Sequence, residues 1–225
     1  GSVLYTGDLN VSGTAADTLT IITDDLGNAG TGGAISDTDT VLIDISNVND
    51  DVLVSSAVTT GAVVEDVTPQ ATGTVGFTDV DLTDDHSVIS ALASTDYAAA
   101  SMGSFSVVET TDTTGTGTGG VMSWTYDIDN ATAQQLANGQ VVTEVYTITI
   151  NDNNGDTVEQ DVTITITGSN DDVLVSTAVT TGAVVEDGTA QAIGTVGFTD
   201  VDLTDDHSVS AALASTDYAA ASMGS

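Results

Sequence analysis

Two short stretches decide the fold: Tyr146-Thr-Ile-Thr-Ile150 and, a few residues on, Val162-Thr-Ile-Thr-Ile166. In each, apolar residues alternate with Thr at period two, the spacing of a strand whose successive side chains point to opposite faces. The Ile residues then face a core and the Thr residues face water. Between them lies Asp152-Asn-Asn-Gly-Asp156, composed of residues that favour turns. The pair reads as a β-hairpin. Outward from it, the same period predicts strands near Val52–Val58, Gly73–Thr78, Ser87–Ala93, Ser104–Val108, Val121–Ile128, Val141–Ile150 and Val158–Thr167, with Val and Thr supplying the β-branched residues that suit a pleated surface. One short helix is expected over Thr132–Leu136, capped by Asn130 and closed near Asn138-Gly139. Seven short strands in about 120 residues predict an all-β chain of antiparallel β-sandwiches.

Self-comparison sets the domain organisation. Asn49–Ser104 recurs as Asn170–Ser225, 121 residues later, with six differences over 56 positions. The expected division is residues 1–48 as the C-terminal part of one sandwich, 49–169 as a complete repeat, and 170–225 as the N-terminal part of the next. The chain does not begin with Met and reads as an internal piece of something longer.

Composition narrows the function. Of the 225 residues 34 are acidic, 29 of them Asp, while Lys and Arg are absent and His occurs twice, giving a net charge of -34. No cationic surface exists to neutralise phosphates, so nucleic acid and anionic membranes are poor partners for this chain, and neither nucleic-acid binding nor membrane insertion is expected. The carboxylates must be solvated, hydrogen-bonded or bound to cations. High charge with 4% aromatics suggests disorder, but a mean hydropathy of +0.17 and a chain about one quarter Val, Ile, Leu and Phe place it among foldable sequences. There is no Cys for a disulfide or thiolate zinc site, and no apolar run approaches the roughly 18 residues of a membrane span.

The run Gly73-Thr-Val-Gly-Phe-Thr-Asp-Val-Asp-Leu-Thr-Asp-Asp-His-Ser-Val88, followed by Trp124-Thr-Tyr-Asp-Ile-Asp129, Leu136-Ala-Asn-Gly-Gln140 and Tyr146–Ile150, resembles the VCBS repeat of very large bacterial surface and secreted proteins. Residues 1–48 resemble the end of a related bacterial cadherin-like domain. The resemblance implies immunoglobulin-like or cadherin-like sandwiches in series, as in the stalks of RTX-type adhesins, exported by a type I route to the cell surface and rigidified by calcium. No nucleophile elbow, oxyanion-hole motif or other catalytic constellation in the sequence points to an enzyme.

The candidate ligands for Ca2+ are acidic clusters at strand ends and domain joints, since calcium takes six to eight hard oxygen donors. At the joint marked by Asn49, Asp50 and Asp51, the expected set is Asp24 and Asp25 from the preceding unit with Glu65, Asp66, Asp79 and Asp81 from the following one. At the joint marked by Asn170, Asp171 and Asp172, it is Asp152, Asn154 and Asp156 with Glu186, Asp187, Asp200 and Asp202. The cadherin linker is similar in sharing ions among an acidic residue near the first strand, an Asp-x-Asp pair and an Asn-Asp linker. The competing reading is that Asp and Asn simply terminate strands and make turns.

Other motifs carry less. Asp152-x-Asn154-Gly155-Asp156 begins like an EF-hand loop but lacks its Glu and flanking helices. Asp127 and Asp129 share a strand face, the Gly- and Thr-rich stretch Thr110–Gly120 reads as a flexible loop, and His86 and His207 read as residues at a strand start. Trp124 and Tyr126 read as core, although an exposed ring there would stack on a sugar, so surface or matrix glycans are the alternative partner.

Overall fold

The computed structural model describes residues 2–28, 30–97, 101–188 and 191–215. Residues 216–225, the end of the third expected unit, lie outside them. Three β units follow one another. The first is a hairpin of β1 (Gly13–Asp24) and β2 (Ser36–Ile45). The second is a sandwich of eight strands: β3 (Leu53–Ala57), β4 (Thr60–Val64), β5 (Gln70–Thr78), β6 (Ser87–Thr95), β7 (Gly103–Thr111), β8 (Gly120–Ile128), β9 (Val141–Asn151) and β10 (Thr157–Thr167). The third pairs β11 (Leu174–Ala178) with β12 (Val196–Thr199).

The sandwich has one sheet in the order β3-β5-β8-β7 and another in the order β4-β10-β9-β6. This is the constant-type immunoglobulin arrangement, four strands facing three, with β4 added to the second sheet. The expected strands are present, and β4 is an additional strand for which the alternation gives no signal. The first strand ends at Ala57, the chain crosses between sheets, and Thr60–Val64 then runs parallel to β10, Val64 opposite Thr167. One short stretch of chain thus serves both sheets, and its second half, Thr60–Val64, gives no alternation long enough to register as a strand.

Alternation does place the core. Along β8, Met122, Trp124 and Tyr126 point inward, and from β9 and β10 Ile148, Ile150, Ile164 and Ile166 meet them, all fully buried with Phe77 and Val75. Trp124 donates its indole N–H to the Val58 carbonyl (3.0 Å), at the point where the first strand changes sheets. Gly73 makes room for this ring, because a Cβ there would lie 2.4 Å from Trp124 Cζ2. Phe105 stacks between Trp124 and Tyr146, with ring centroids 5.7 and 4.5 Å away.

One carboxylate is buried within this core. Glu144 is fully enclosed and accepts from the hydroxyls of Tyr146 (2.8 Å), Tyr126 (3.1 Å) and Ser101 (2.9 Å) and from the Met102 N–H (2.6 Å). Four donors replace the water it gave up, which is what a buried carboxylate without a cation requires. Burial pushes both tyrosine hydroxyls far above their ordinary range, and the Glu144 charge adds to it.

The helix α1 (Asn130–Ala133) is shorter than expected and starts earlier. Its cap is Asp129, whose carboxylate accepts from the Ala131 N–H (3.1 Å) and the Thr132 hydroxyl (2.8 Å). Asp127 instead receives the Gln70 amide (2.7 Å), so the pair takes two separate structural roles.

Candidate metal centre

The carboxylates gather at the two ends of the sandwich, and the antiparallel path of the chain decides which go where. At the end nearer the N-terminus lie the linker from Asn49 to Asp51, the β5–β6 loop from Asp79 to His86, the β9–β10 turn from Asp152 to Asp156 and the β7–β8 loop from Asp112 to Gly119. Asn49 donates its side-chain amide to Asp152 (2.8 Å) and Asp156 (3.1 Å), and the Asp50 N–H donates to Asp81 (2.6 Å). Asp81 in turn donates its N–H to Asp79 Oδ1 (2.8 Å).

At the centre of this end, one carboxylate oxygen each from Asp79, Asp84 and Asp152 lies within 4.8 Å of the other two, and all three residues are buried. Asp152 Oδ1 accepts the N–H groups of Asn154, Gly155 and Asp156 at 2.9 to 3.0 Å. Burial raises the Asp152 carboxyl, but the Asn49 amide and these three N–H groups outweigh it and hold it below the usual carboxylate range. It is an anion held in place. Asp84 Oδ2 and the Thr113 hydroxyl are buried without a hydrogen-bond partner. Like charges this close repel by roughly 3–4 kcal/mol per pair at an effective dielectric near 20, and the chain has no Lys or Arg to offset it.

At the other end, Glu65 and Asp66 from the β4–β5 turn meet Asp171 from the following linker, with one oxygen of each within 4.8 Å of the other two. Glu65 is fully buried and accepts from the Gln134 amide (2.7 Å) and the Ser169 N–H (3.1 Å). Asp66, at φ 58°, exchanges two hydrogen bonds with Asn130 (2.6 and 3.0 Å). The Asp171 N–H donates to Asp202 Oδ2 (3.0 Å), the counterpart of the Asp50–Asp81 contact, and the Asp202 N–H donates to Asp200 Oδ1 (3.1 Å). Asp171 Oδ2 and Asp202 Oδ1 are buried without a partner. Burial pushes the Glu65 carboxyl up; the Ser169 N–H opposes this, and Asp171, Asp66 and Asp202 reinforce it. Burial likewise raises Asp171, followed by repulsion from Asp202, Asp66, Asp200 and Asp172.

These placements correct the expected grouping. Asp152, Asn154 and Asp156 belong with Asn49, not with Asn170, while Glu65 and Asp66 belong with Asp171, not with Asn49. Each turn lies a full strand away from the linker that follows its hairpin: eleven residues of β10, at about 3.3 Å each, separate the β9–β10 turn from Ser169. Asp24 and Asp25 fail for the same reason. They sit in the β1–β2 turn, accepting from the N–H groups of Leu26, Gly27 and Ile35, whereas Gly13 and Ile45 pair at the end that leads to Asn49. The preceding unit instead brings Asp8 and Asn10 to a cavity of about 260 Å³ shared with Asp50 and Asp81. Glu186 and Asp187 are exposed in the turn equivalent to Glu65-Asp66 and do not join the Asp171 cluster. Asp51 and Asp172 are both exposed at the linkers, and Asp172 lines a cavity of about 300 Å³ with Asp171, Asp200 and Gln134.

Sequence reasoning missed Asp84, Thr113, Asn130 and Gln134. The spacing Asp79-x-Asp81-x-x-Asp84 was the available signal for the first. The Gly- and Thr-rich loop is also no free tether: its Gly117 carbonyl accepts from the Asp79 N–H (3.2 Å), its Gly115 N–H donates to the Leu82 carbonyl (2.7 Å), and the Thr114 hydroxyl donates to the Asp84 carbonyl (2.7 Å). Trp124 and Tyr126 are fully buried, so neither ring is available to a sugar.

Both ends are therefore acidic clusters able to bind a metal. Their donors are carboxylate, amide and hydroxyl oxygens, the set favoured by hard cations, and the partnerless buried oxygens are groups such a cation would satisfy.

No family model and no curated protein matches the chain. The solved structures it is similar to include three that are each 15% identical to it. AggA, the major subunit of aggregative adherence fimbriae type I from Escherichia coli, aligns over 55% of this chain and 99% of its own with a TM-score of 0.35. The protocadherin gamma B4 extracellular domain aligns over 81% and 29% with a TM-score of 0.39, and protocadherin gamma B2 cadherin domains 3–6 over 81% and 44% with a TM-score of 0.36. The chain spans less than half the length of either protocadherin.

Proposed function

We propose that this chain is a spacer segment of a bacterial adhesion protein, exported by a type I route to the cell surface, in which Ca2+ ions stiffen the joints between consecutive β-sandwiches. In this reading residues 1–48, 49–169 and 170–225 are parts of three successive domains, and the partners of each domain are its neighbours in the same polypeptide. The observation that carries the proposal is the Glu65–Asp66–Asp171 cluster: the buried Glu65 and exposed Asp66 of one sandwich and the half-buried Asp171 of the linker to the next converge beside Asp202 of the next unit, where two buried oxygens are without a partner. Asp79, Asp84 and Asp152 would hold a cation at the other end. Its chemistry is electrostatic, cancelling the repulsion among carboxylates and tying linker to loop.

Small-angle scattering and calorimetry in chelator and in CaCl2 test this. The expected result is saturable binding with Kd on the order of 0.1–1 mM, the range of extracellular calcium modules, accompanied by a longer, narrower distribution of end-to-end distances and a higher Tm. Equal dimensions and equal Tm in the two conditions would overturn it.

A further inference from the structure

His86 is almost fully buried, and both of its ring nitrogens face carboxylates: Nε2 lies 3.1 Å from Asp79 Oδ2 and Nδ1 lies 2.6 Å from Asp112 Oδ1. The ring also packs against Phe77, with centroids 4.8 Å apart at 57°, which leaves it one orientation. Asp112 is itself held from several directions, by the N–H groups of Thr113 (2.6 Å) and His86 (3.3 Å) and by the Thr114 hydroxyl (2.9 Å). His86 is not one of the three residues whose oxygens converge, so its place is behind Asp79 rather than beside it as a ligand. The β7–β8 loop that carries Asp112 is the same loop that binds the Asp79 N–H and the Leu82 and Asp84 carbonyls, so it encloses the acidic loop from two sides.

The arrangement recurs. In the second copy His207 Nε2 lies 2.8 Å from Asp200 Oδ2, and His207 packs against Phe198 at 4.8 Å. Here the ring and Asp200 keep their geometry although their surroundings are more open, with 29% of the His207 side chain exposed. The His–Asp contact is therefore set locally, seven residues apart along the chain, and the Asp112 contact is an addition made by the completed sandwich.

We propose that His86, backed by Asp112, is a positioning residue for cation binding at the Asp79–Asp84–Asp152 cluster, and that His207 does the same for Asp200 at the Asp171 joint. This rests on the cation-binding reading above. Asp79 Oδ1 is fixed by the Asp81 N–H and Oδ2 by His86, so the carboxylate cannot rotate away from Asp84 and Asp152 when repulsion favours it. A ligand held by a second layer of hydrogen bonds meets the ion without first being ordered, and loss of such a partner typically weakens metal affinity about 10- to 100-fold.

The test is a CaCl2 titration of the whole chain followed by amide NMR, reading the Asp81 N–H, which bonds Asp79, and the Asp202 N–H, which bonds Asp200. His86→Phe is expected to weaken the Asp81 midpoint about tenfold or more and leave the Asp202 midpoint unchanged, and His207→Phe to do the reverse. Asp112→Asn is expected to give a smaller loss at Asp81, and none beyond that of His86→Phe when the two are combined, because Asp112 acts through the ring. His86→Gln, which keeps a donor toward Asp79, recovers part of the affinity. Tm in chelator separates folding from binding: a purely structural histidine lowers Tm without moving the Asp81 midpoint. An unchanged or tightened Asp81 midpoint in both His86→Phe and Asp112→Asn overturns the proposal while wild-type binding stands. If the wild-type chain shows no calcium-dependent shift at either amide, the parent reading fails instead.

Discussion

Residues 173–199 and 52–78 have nearly the same sequence, and the strand pairs β11–β12 and β3–β5 within them have the same register, yet opposite burial. Val52, Val75 and Phe77 are 2%, 0% and 0% exposed, whereas their copies Val173, Val196 and Phe198 are 51%, 57% and 50% exposed. The pairing is the same in both, down to the irregularity: β3 and β5 shift register between Val54 and Ser56, and β11 and β12 shift between Val175 and Thr177. The linker contacts also repeat, with Asp50 on Asp81 matched by Asp171 on Asp202. What does not repeat is the rest of the sheets. Thr181–Val185, the copy of β4, forms no strand, because β4 is held by β10 and has no partner within its own half. Hairpin register and turn chemistry are short-range, whereas burial depends on strands more than 40 residues away in sequence.

The comparison is broken most severely by removing the ring on which the first copy closes. Trp124→Ala should destabilise the complete sandwich by about 3–5 kcal/mol, the usual cost of deleting a large buried aromatic, and should leave β11 and β12 untouched. Circular-dichroism melts give the first outcome, and amide exchange at Val75 and Phe77, approaching that at Val196 and Phe198, gives the second.

Glycine offers a sharper form of the same contrast. Gly73 and Gly194 are the same repeat position, but a Cβ at 73 meets Trp124 at 2.4 Å, while at 194 its nearest contact is Val179 Cβ at 3.4 Å. Gly73→Ala should cost about 1–3 kcal/mol through overpacking, and Gly194→Ala less than about 0.5 kcal/mol. Equal Tm shifts from the two substitutions would show that the copies are closed alike in solution.

A smaller effect concerns Glu65 and its exposed copy Glu186. The Glu65 carboxyl is raised on folding, so its contribution is favourable below the ordinary glutamate value and is lost as pH rises through the raised one. In chelator, Tm should therefore gain from this group as the pH falls from about 7 toward the ordinary carboxylate range. Glu65→Gln should remove that gain and raise Tm modestly at neutral pH, while in CaCl2 it should lower Tm. Glu186→Gln should change neither profile. Asp152 has the opposite sign: lowered on folding, it stabilises above the ordinary aspartate value, and that contribution is lost as pH falls through its lowered one. Acid titration of Tm in chelator, with Asp152→Asn alongside, distinguishes the two ends of the sandwich.

Much of the fold was legible because it rests on period-two alternation. Ile148, Ile150, Ile164 and Ile166 lie in the core where Thr alternation put them, whereas the helix expected to close near Gly139 already ends at Ala133, and Gly139, at φ 75°, serves a later turn. The helix cap was missed by one residue, since Asp129 and Asn130 are both good caps and the choice depends on the exit angle of β8. The candidate ligands were legible as types but not as sets. Asp152 and Glu65 each lie at the end opposite to the one expected, because adjacency to a linker in sequence is not adjacency in space.

By itself the sequence determined the all-β character, the repeat, the hairpin registers and the excess of carboxylates with no Lys or Arg to answer it, since each of these depends on composition or on residues within a turn of one another. Only the tertiary structure decided that Asp79, Asp84 and Asp152 share one end of the sandwich and Glu65, Asp66 and Asp171 the other. An antiparallel strand carries every turn a full strand length away from the linker that follows it, and the ends of several strands must be stacked before their carboxylates can meet.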